Sequence, residues 1–367
     1  MEEIRKNKEA RVAVLIPCYN EEMTIGKVID DFRRALPTAD LYVFDNNSTD
    51  ATASIARQRN AIVCQEPRQG KGNVIRAMFE EVDADVYVLV DGDDTYPAEA
   101  APELVSKILQ GYDMVSGDRL SSTYFQENKR PLHGLGNRLV RSSINLLFGA
   151  HLTDVMTGFR AVSFAFAKTC PVTSSGFEVE TEMTIHSLDN NLRICEIPIQ
   201  YRDRPNGSVS KLDTFGDGIK VMSTIFRMIR EYKPLPFFGL SGLLISMVGL
   251  VLTLSVMFDY WKTGVVLRFP TLIGSVMLVI AGLLLIVAGI ILDIMAAEER
   301  KRIILARNQF AYLNRQQPAS TRPDRPCRQR RPAADPDQAG SNPDQQSSGD
   351  SPTEASRFCL GSNDSDN

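Results

Sequence analysis

The sequence predicts an α/β domain built on a mostly parallel sheet, followed by an amphipathic helix and a two-helix transmembrane hairpin. Three observations predict it. From Arg11 to about Asp118, short apolar runs alternate with segments of helical periodicity. Polar residues gather where the apolar runs end. Two later stretches, Phe237 to Phe258 and Leu272 to Leu292, contain no charged residue.

The alternation is read element by element. Val12 to Pro17 is an apolar run that enters a loop, as expected of a strand buried on both faces. Ile25, Val28, Ile29, Phe32 and Leu36 then recur at helical spacing. Leu41 to Phe44 is a second strand, and Asn47 to Asp50 offer N-caps for a helix running to about Asn60. Ala61 to Cys64 is a third strand, and Val74, Ile75, Met78, Phe79 and Val82 mark the next helix. Val86 to Val90 is the most apolar strand. Glu103 to Gln110 reads as helix and Met114 to Ser116 as strand. Repeated β-α units of this kind form parallel sheets with helices on both faces. Ligands of such sheets bind outside the carboxyl ends of the strands.

Asp118 to Lys211 is less regular and rich in Arg, Gly and Asn, and reads as the acceptor half of the same domain. Phe215 to Tyr232 follows as an amphipathic helix, with Ile219, Met222, Phe226 and Ile229 on one face. That pattern suits the membrane interface, and equally a helix packed on a core. A bilayer crossing needs ~20 apolar residues, which both uncharged stretches supply. Arg227, Arg230 and Lys233 precede the hairpin and Arg300, Lys301 and Arg302 follow it, against Lys262 and Arg268 in the connector. The positive-inside rule therefore puts both ends in the cytoplasm. Met1 to Arg11 is charged and lacks the apolar centre of a signal peptide. The divisions are an N-terminal extension (1–10), the α/β domain (11–214), the juxtamembrane helix (215–236), the hairpin (237–292), a cytoplasmic helix or linker (293–315) and a disordered tail (316–367).

Composition removes several classes of function. A formal charge of −4 carries no footprint for nucleic acid. The six cysteines form no C-x-x-C pair and read as reduced, small apolar side chains. Three histidines, none in H-E-x-x-H, provide no zinc helix.

The chemistry gathers at Asp91-Gly92-Asp93, at the end of the most apolar strand. A nucleotide sugar builds negative charge on its diphosphate as the sugar departs. A divalent cation on carboxylates offsets that charge as a Lewis acid. Mg2+ or Mn2+ takes hard oxygen ligands, and one or two carboxylates plus phosphate oxygens suffice. An acidic triplet in a turn is also a common solvated cap, so the context decides.

That context is Pro17-Cys18-Tyr19-Asn20-Glu21-Glu22, then Asp45-Asn46-Asn47-Ser48-Thr49-Asp50, then Gln69-Gly70-Lys71-Gly72-Asn73. The ordered set resembles the family 2 glycosyltransferases, which have the glycosyltransferase A fold. Within them it is most similar to the branch of dolichyl-phosphate mannose synthases and bacterial polyprenyl-phosphate glycosyltransferases. The resemblance covers Arg11 to about Lys233 and implies a membrane enzyme of cell-envelope glycan synthesis, facing the cytoplasm. It implies that Pro17, Asn20, Glu21 and Glu22 line the donor pocket and that Asp45 meets the base or ribose. Lys71 would lie near nucleotide or diphosphate. Asp91 and Asp93 would hold the diphosphate and the Mg2+ or Mn2+. The family commonly has a second acid where this chain has Asn46. Asp94 is expected as a helix cap, with a further metal ligand as the alternative.

An acceptor phosphate needs cations, and Arg offers a bidentate fork. Arg119, Arg138, Arg202 and Lys211 are the candidates, each of which could instead serve as a surface ion-pair partner. Asp154 to Arg160 also matches a stretch of the family, with Asp154 orienting an arginine or the sugar. Glu178 or Glu182 contacts sugar hydroxyls or simply favours a helix N-terminus. The implied reaction is inverting transfer from a nucleotide sugar, UDP- or GDP-linked, to a polyprenyl phosphate. A hydroxyl acceptor on a glycolipid or growing glycan is the main alternative, and a non-catalytic membrane scaffold the other. The Gln-x-x-Arg-Trp motif of processive synthases is absent, since the one tryptophan is Trp261 in the connector. Nothing excludes self-association.

Overall fold

The computed structural model describes residues 10–120, 131–176, 178–202, 226–227 and 229–316. A seven-stranded sheet forms its centre, in the order β3-β2-β1-β4-β6-β5-β7. The strands are β1 (Val12–Cys18), β2 (Asp40–Asp45), β3 (Ile62–Gln65), β4 (Val86–Leu89), β5 (Met114–Asp118), β6 (Arg160–Ser163) and β7 (Ile194–Pro198). β6 pairs antiparallel with β4 and β5, and the other pairs are parallel. The helices around the sheet are α1 (Ile25–Ala35), α2 (Thr52–Gln58), α3 (Lys71–Glu81), α4 (Ala101–Leu109), α5 (Pro131–Phe148), α6 (Phe164–Thr169) and α7 (Val179–Asp189).

The apolar runs form strands because both sheet faces are covered. Along β1, Val12, Val14, Ile16 and Cys18 join the core under α1 and α4. Ala13 and Leu15 join the opposite core, with Val74, Ile75, Met78 and Phe79 of α3. Each strand residue thus leaves water on one side or the other.

β1 has β2 on one side and β4 on the other, so the connections diverge at the β1/β4 boundary. At such a switch point, here outside the carboxyl ends of β1 and β4, α/β sheets form their ligand crevice. Asn20 and Asp91 stand there.

Two long helices follow, α8 (Pro234–Thr263) and α9 (Phe269–Gln316), each long and apolar enough to cross a membrane. They pack closely through small residues. A methyl group at Gly242 would stand 2.5 Å from the Gly282 carbonyl oxygen, and one at Gly249 would stand 2.8 Å from that of Ser275. Thr253 donates to Ser275 Oγ at 2.9 Å. Contacts of this kind hold helices together where no hydrophobic drive exists between them. Their outer faces expose Leu243, Leu244, Leu254, Leu283 and Leu284.

The ends of these helices differ from the expectation. The connector shrinks to residues 264–268, and α9 continues past Leu292 to Gln316. Hydropathy falls after Leu292, but Pro318 is the first helix breaker beyond Gly289. The apolar run and its polar continuation therefore form one helix of 48 residues. That extension packs on the sheet domain. Arg300 pairs with Asp189 at 2.9 Å, Arg307 with Asp113 at 3.5 Å, and Phe310 meets Phe164 edge-on.

Most of the amphipathic segment 215–232 lies outside the described residues. At its end, Ile229 and Tyr232 pack against a small core of Val140, Ile144, Val155 and Ile185, while Phe226 is exposed. The face carrying Ile229 thus meets protein. The tail beyond Gln316 lies outside the described residues.

Candidate active site

The loops after β1 and β2 are stitched together first. Asn20, at φ 53°, accepts the Thr49 N–H at 2.8 Å through Oδ1. The backbone N–H of Asn20 donates to Ser48 Oγ, and that of Glu21 to Thr52 Oγ1. Glu22 accepts the Ala51 N–H at 2.9 Å, at the start of α2. Pro17 closes β1 beside Phe44. Asp45, at the end of β2, is buried and accepts the Ser48 N–H at 3.3 Å. Pro17, Asn20, Glu21, Glu22 and Asp45 therefore do stand together.

Asn46 has a different use from a second acid. Its buried amide donates to the carbonyls of Glu66 and Arg68, both at 2.8 Å, and accepts the Gly70 N–H at 2.7 Å. A carboxylate cannot donate those two bonds. Asn46 thus fixes the loop that carries Lys71.

Lys71 is the hinge of the site. Its ammonium is 2.5 Å from Asp91 Oδ1 and 2.6 Å from Glu180 Oε1. Burial works to lower its pKa, but Asp91 and Glu180 outweigh burial and hold it above the usual lysine range. The flanking glycines are explained by one close approach. Gly72 donates to the Ser175 carbonyl at 3.0 Å. Methyl groups at Gly70 and Gly72 would meet the carbonyl oxygens of Ser175 and Ser174 within 2.2 Å. Segment 174–176 crosses the Gly70-Lys71-Gly72 turn backbone to backbone and leads into α7, which delivers Glu180.

Asp91 and Asp93 sit where β4 ends. Asp93 is buried and accepts from Thr95 Oγ1 at 2.6 Å. Thr24 at the start of α1 donates to the Gly92 carbonyl at 2.6 Å, and Cys18 lies directly under Gly92. Asp94, at φ 59°, pairs with Lys27 at 2.6 Å. It is not a helix cap, because the next helical turn begins only after Pro97.

The arginines separate. Arg119 is gripped by Asp154 through Nε at 2.7 Å and Nη2 at 3.0 Å, with Tyr96 Oη 3.4 Å from Nη1 and the Tyr201 ring 5.6 Å away. Burial disfavours its charge, yet Tyr96 and Asp154 hold its pKa above the usual value. Arg202 keeps its backbone near Thr95 and reaches Glu99 at 3.2 Å. Arg138 is exposed on α5. Lys211 lies outside the described residues. Arg160 is wholly buried and bonds the carbonyls of Thr157 and Val155 and the Thr184 hydroxyl, so it belongs to the framework. Glu182 accepts from Thr173 and Ser174 and holds the segment before α7.

Sequence reading missed Glu180, Tyr96 and Gly158. Tyr96 accepts the Gly158 N–H at 2.9 Å, and its burial raises its pKa. Glu180 falls on a helix buried almost all round, where no polar stripe singles out one acid. A cavity of about 640 Å³ between α3, α6 and α9 is lined by Arg76, Phe79, Lys168 and Phe310, and by none of the expected site residues.

Among the described residues no group of three His, Cys, Asp or Glu side chains forms a closed metal cage. Two carboxylates at one strand end are an open, hard-oxygen set. They fit an ion that completes its shell with phosphate oxygens.

Comparison with known proteins bears on the family and the fold. Residues 13–170 match the family described as Glycosyl transferase family 2. The chain is 32% identical over 250 residues to glycosyltransferase AglJ of Haloferax volcanii, covering 68% of this chain and 82% of that protein. It is 34% identical over 222 residues to a dolichyl-phosphate hexose transferase of the same organism, covering 60% of this chain and 95% of that one. Among solved structures it is similar to glucosyl-3-phosphoglycerate synthase of Mycobacterium tuberculosis with Mn2+, UDP-glucose and phosphoglyceric acid. The TM-score is 0.51 at 25% identity, covering 59% of this chain and 79% of that one.

Proposed function

Because this chain belongs to the family 2 glycosyltransferases, we propose that it moves a hexose from a nucleotide sugar to a polyprenyl phosphate at the cytoplasmic membrane face. The observation that carries this reading is the switch-point crevice, where Lys71, Asp91 and Asp93 converge beside the half-buried Arg119. It combines cationic and carboxylate groups at the edge where such sheets bind ligands. The dolichyl-phosphate hexose transferase, matched over 95% of its length, supports a lipid-phosphate acceptor. The synthase crystallised with Mn2+ and UDP-glucose supports a divalent cation and a nucleotide donor.

In this reading Asp45 receives the nucleoside. Pro17, Asn20, Glu21 and Glu22 shape the wall, through the bonds that lock the loops after β1 and β2. Lys71 sets its positive charge against the diphosphate. Mg2+ or Mn2+ held by Asp91 and Asp93 would supply Lewis-acid stabilisation to the leaving diphosphate. The acceptor attacks the anomeric carbon in line, with inversion. A phosphate monoester is already largely ionised near neutrality, with its second pKa roughly 6. It therefore needs positioning and charge stabilisation rather than a general base. Arg119, Arg138, Arg202 and Lys211 provide the positive field for it. Asp154 holds Arg119, so Arg119 contributes charge from a fixed place. α8 and α9 span the bilayer and return the chain to the cytoplasmic side.

The deciding experiment incubates detergent-solubilised full chain with UDP- and GDP-hexoses, Mg2+ or Mn2+, and either polyprenyl phosphate or a glycolipid with free hydroxyls. Mass spectrometry should find a hexosyl phosphopolyprenol. A product only on the glycolipid would replace the phosphate acceptor with a hydroxyl. No product on either would overturn the reading.

A further inference from the structure

We propose that Glu180 is a positioning residue for the donor diphosphate, acting through Lys71, which it holds in the crevice when Asp91 is engaged by the donor. The inference rests on the donor site proposed above. Its basis is the three-body arrangement of Asp91, Lys71 and Glu180, with contacts of 2.5 and 2.6 Å on the two sides of one ammonium.

The two carboxylates differ in ways that assign them different tasks. The Asp91 side chain is 26% exposed and belongs to the crevice, whereas that of Glu180 is 6% exposed. Glu180 sits in the first turn of α7, where the N-terminal end of a helix favours negative charge. The backbone of segment 174–176 is bonded to Gly72, so α7 starts at a fixed place relative to Lys71. Glu180 thus stands on a rigid support and Asp91 at the working face.

A donor that engages Asp91 loosens one of the carboxylates that hold the ammonium. Without Glu180, a lysine whose side chain is 11% exposed would lose the carboxylate that directs it from the α7 side and would be released from its place in the crevice. With Glu180 in place, the ammonium stays aimed into the crevice, where the diphosphate oxygens can meet it. Lys71 is a compact point charge on a flexible stem, which makes such a second anchor decisive for its direction.

The test measures UDP and GDP binding by calorimetry with MnCl2 on the full chain. Four proteins are compared: wild type, Glu180→Gln, Lys71→Met and the double variant, with folding followed by thermal melting. Glu180→Gln should weaken the nucleoside diphosphate that binds by about tenfold, the loss of one charge-assisted partner. In the Lys71→Met background the same change should cost less than about twofold, because the effect passes through Lys71. Glu180→Asp, which keeps the charge on a shorter stem, should fall between the two and covers the case that Glu180→Gln does not fold. Equal losses in both backgrounds, or none in either, would overturn the positioning role while leaving the donor site intact. If Lys71→Met itself leaves UDP and GDP binding unchanged, the donor site is wrong, and the inference falls with it.

Discussion

Gly158 lies against Asp91 so closely that a methyl group on it would stand 2.5 Å from Oδ2. The obstacle is the far end of a side chain and not backbone, so Gly158→Ala should displace the Asp91 carboxylate while the fold survives. Gly72 is the contrasting case, because its methyl would meet the Ser174 carbonyl oxygen at 2.0 Å. We expect Gly158→Ala to melt close to wild type and lose at least tenfold in donor affinity. Gly72→Ala should lose about 1–3 kcal/mol of stability, the usual cost of overpacking. Thermal melts and donor titrations of both variants check the contrast, and a large stability loss in Gly158→Ala would contradict it.

Asp93→Ala should abolish transfer in a folded protein, since it removes half of the paired carboxylates at the end of β4. Asp91→Ala should act mainly on donor binding. Product formation is measured across a range of Mg2+ and Mn2+. Normal turnover of Asp93→Ala at any of these concentrations removes the metal-site reading.

Arg138 and Arg202 are the exposed members of the cation set, and they should be read by the acceptor. Replacing either with Ala should raise the KM for polyprenyl phosphate by about one to two decades, the loss of a charge-assisted hydrogen bond. The KM for the nucleotide sugar should move far less. Lys replacements should recover part of the loss, because an ammonium cannot reproduce the bidentate fork. Steady-state kinetics with both substrates varied separate these outcomes.

Burial lowers the pKa of His186 from 6.5 to about 4. The ring is neutral in the folded protein, and the unfolded chain binds the proton first as pH falls. Stability from this group is therefore complete above pH 6.5 and declines as pH drops towards 4. The loss approaches ~3 kcal/mol, at about 1.4 per pKa unit. Urea unfolding followed by circular dichroism should show this slope in wild type and lack it in His186→Leu. A wild-type curve as flat as the variant's would contradict the buried neutral ring.

β1, β2 and β4 were legible because they are buried on both faces, which writes an unbroken apolar run into each. β6 was not, since it is four residues long and begins with Arg160, a charged residue that reads as loop. Only the structure shows that arginine wrapped in the carbonyls of Val155 and Thr157. The crevice residues Asp45, Lys71, Asp91 and Asp93 were legible because strand ends concentrate them. Glu180 was not, because its partner is 109 positions away and nothing local distinguishes it from Glu178 or Glu182. That the helix or linker expected at 293–315 continues α9 without a break was not legible, because hydropathy marks the edge of an apolar run and helix propensity ignores that edge.

In the proposed membrane seating, the unbroken α9 makes the joint between bilayer and enzyme stiff. From Leu292 to Gln316 it rises about 36 Å, so a ~10° change in tilt swings its far end by about 6 Å. Arg300, Arg307 and Phe310 couple that swing to the sheet domain. Seated in a membrane, the helix is a lever arm, and the catalytic crevice would rise, dip or roll as lipid thickness alters the slope of the shaft. A thicker or thinner bilayer would then retune access to the headgroup plane with no ligand bound and no residue changed.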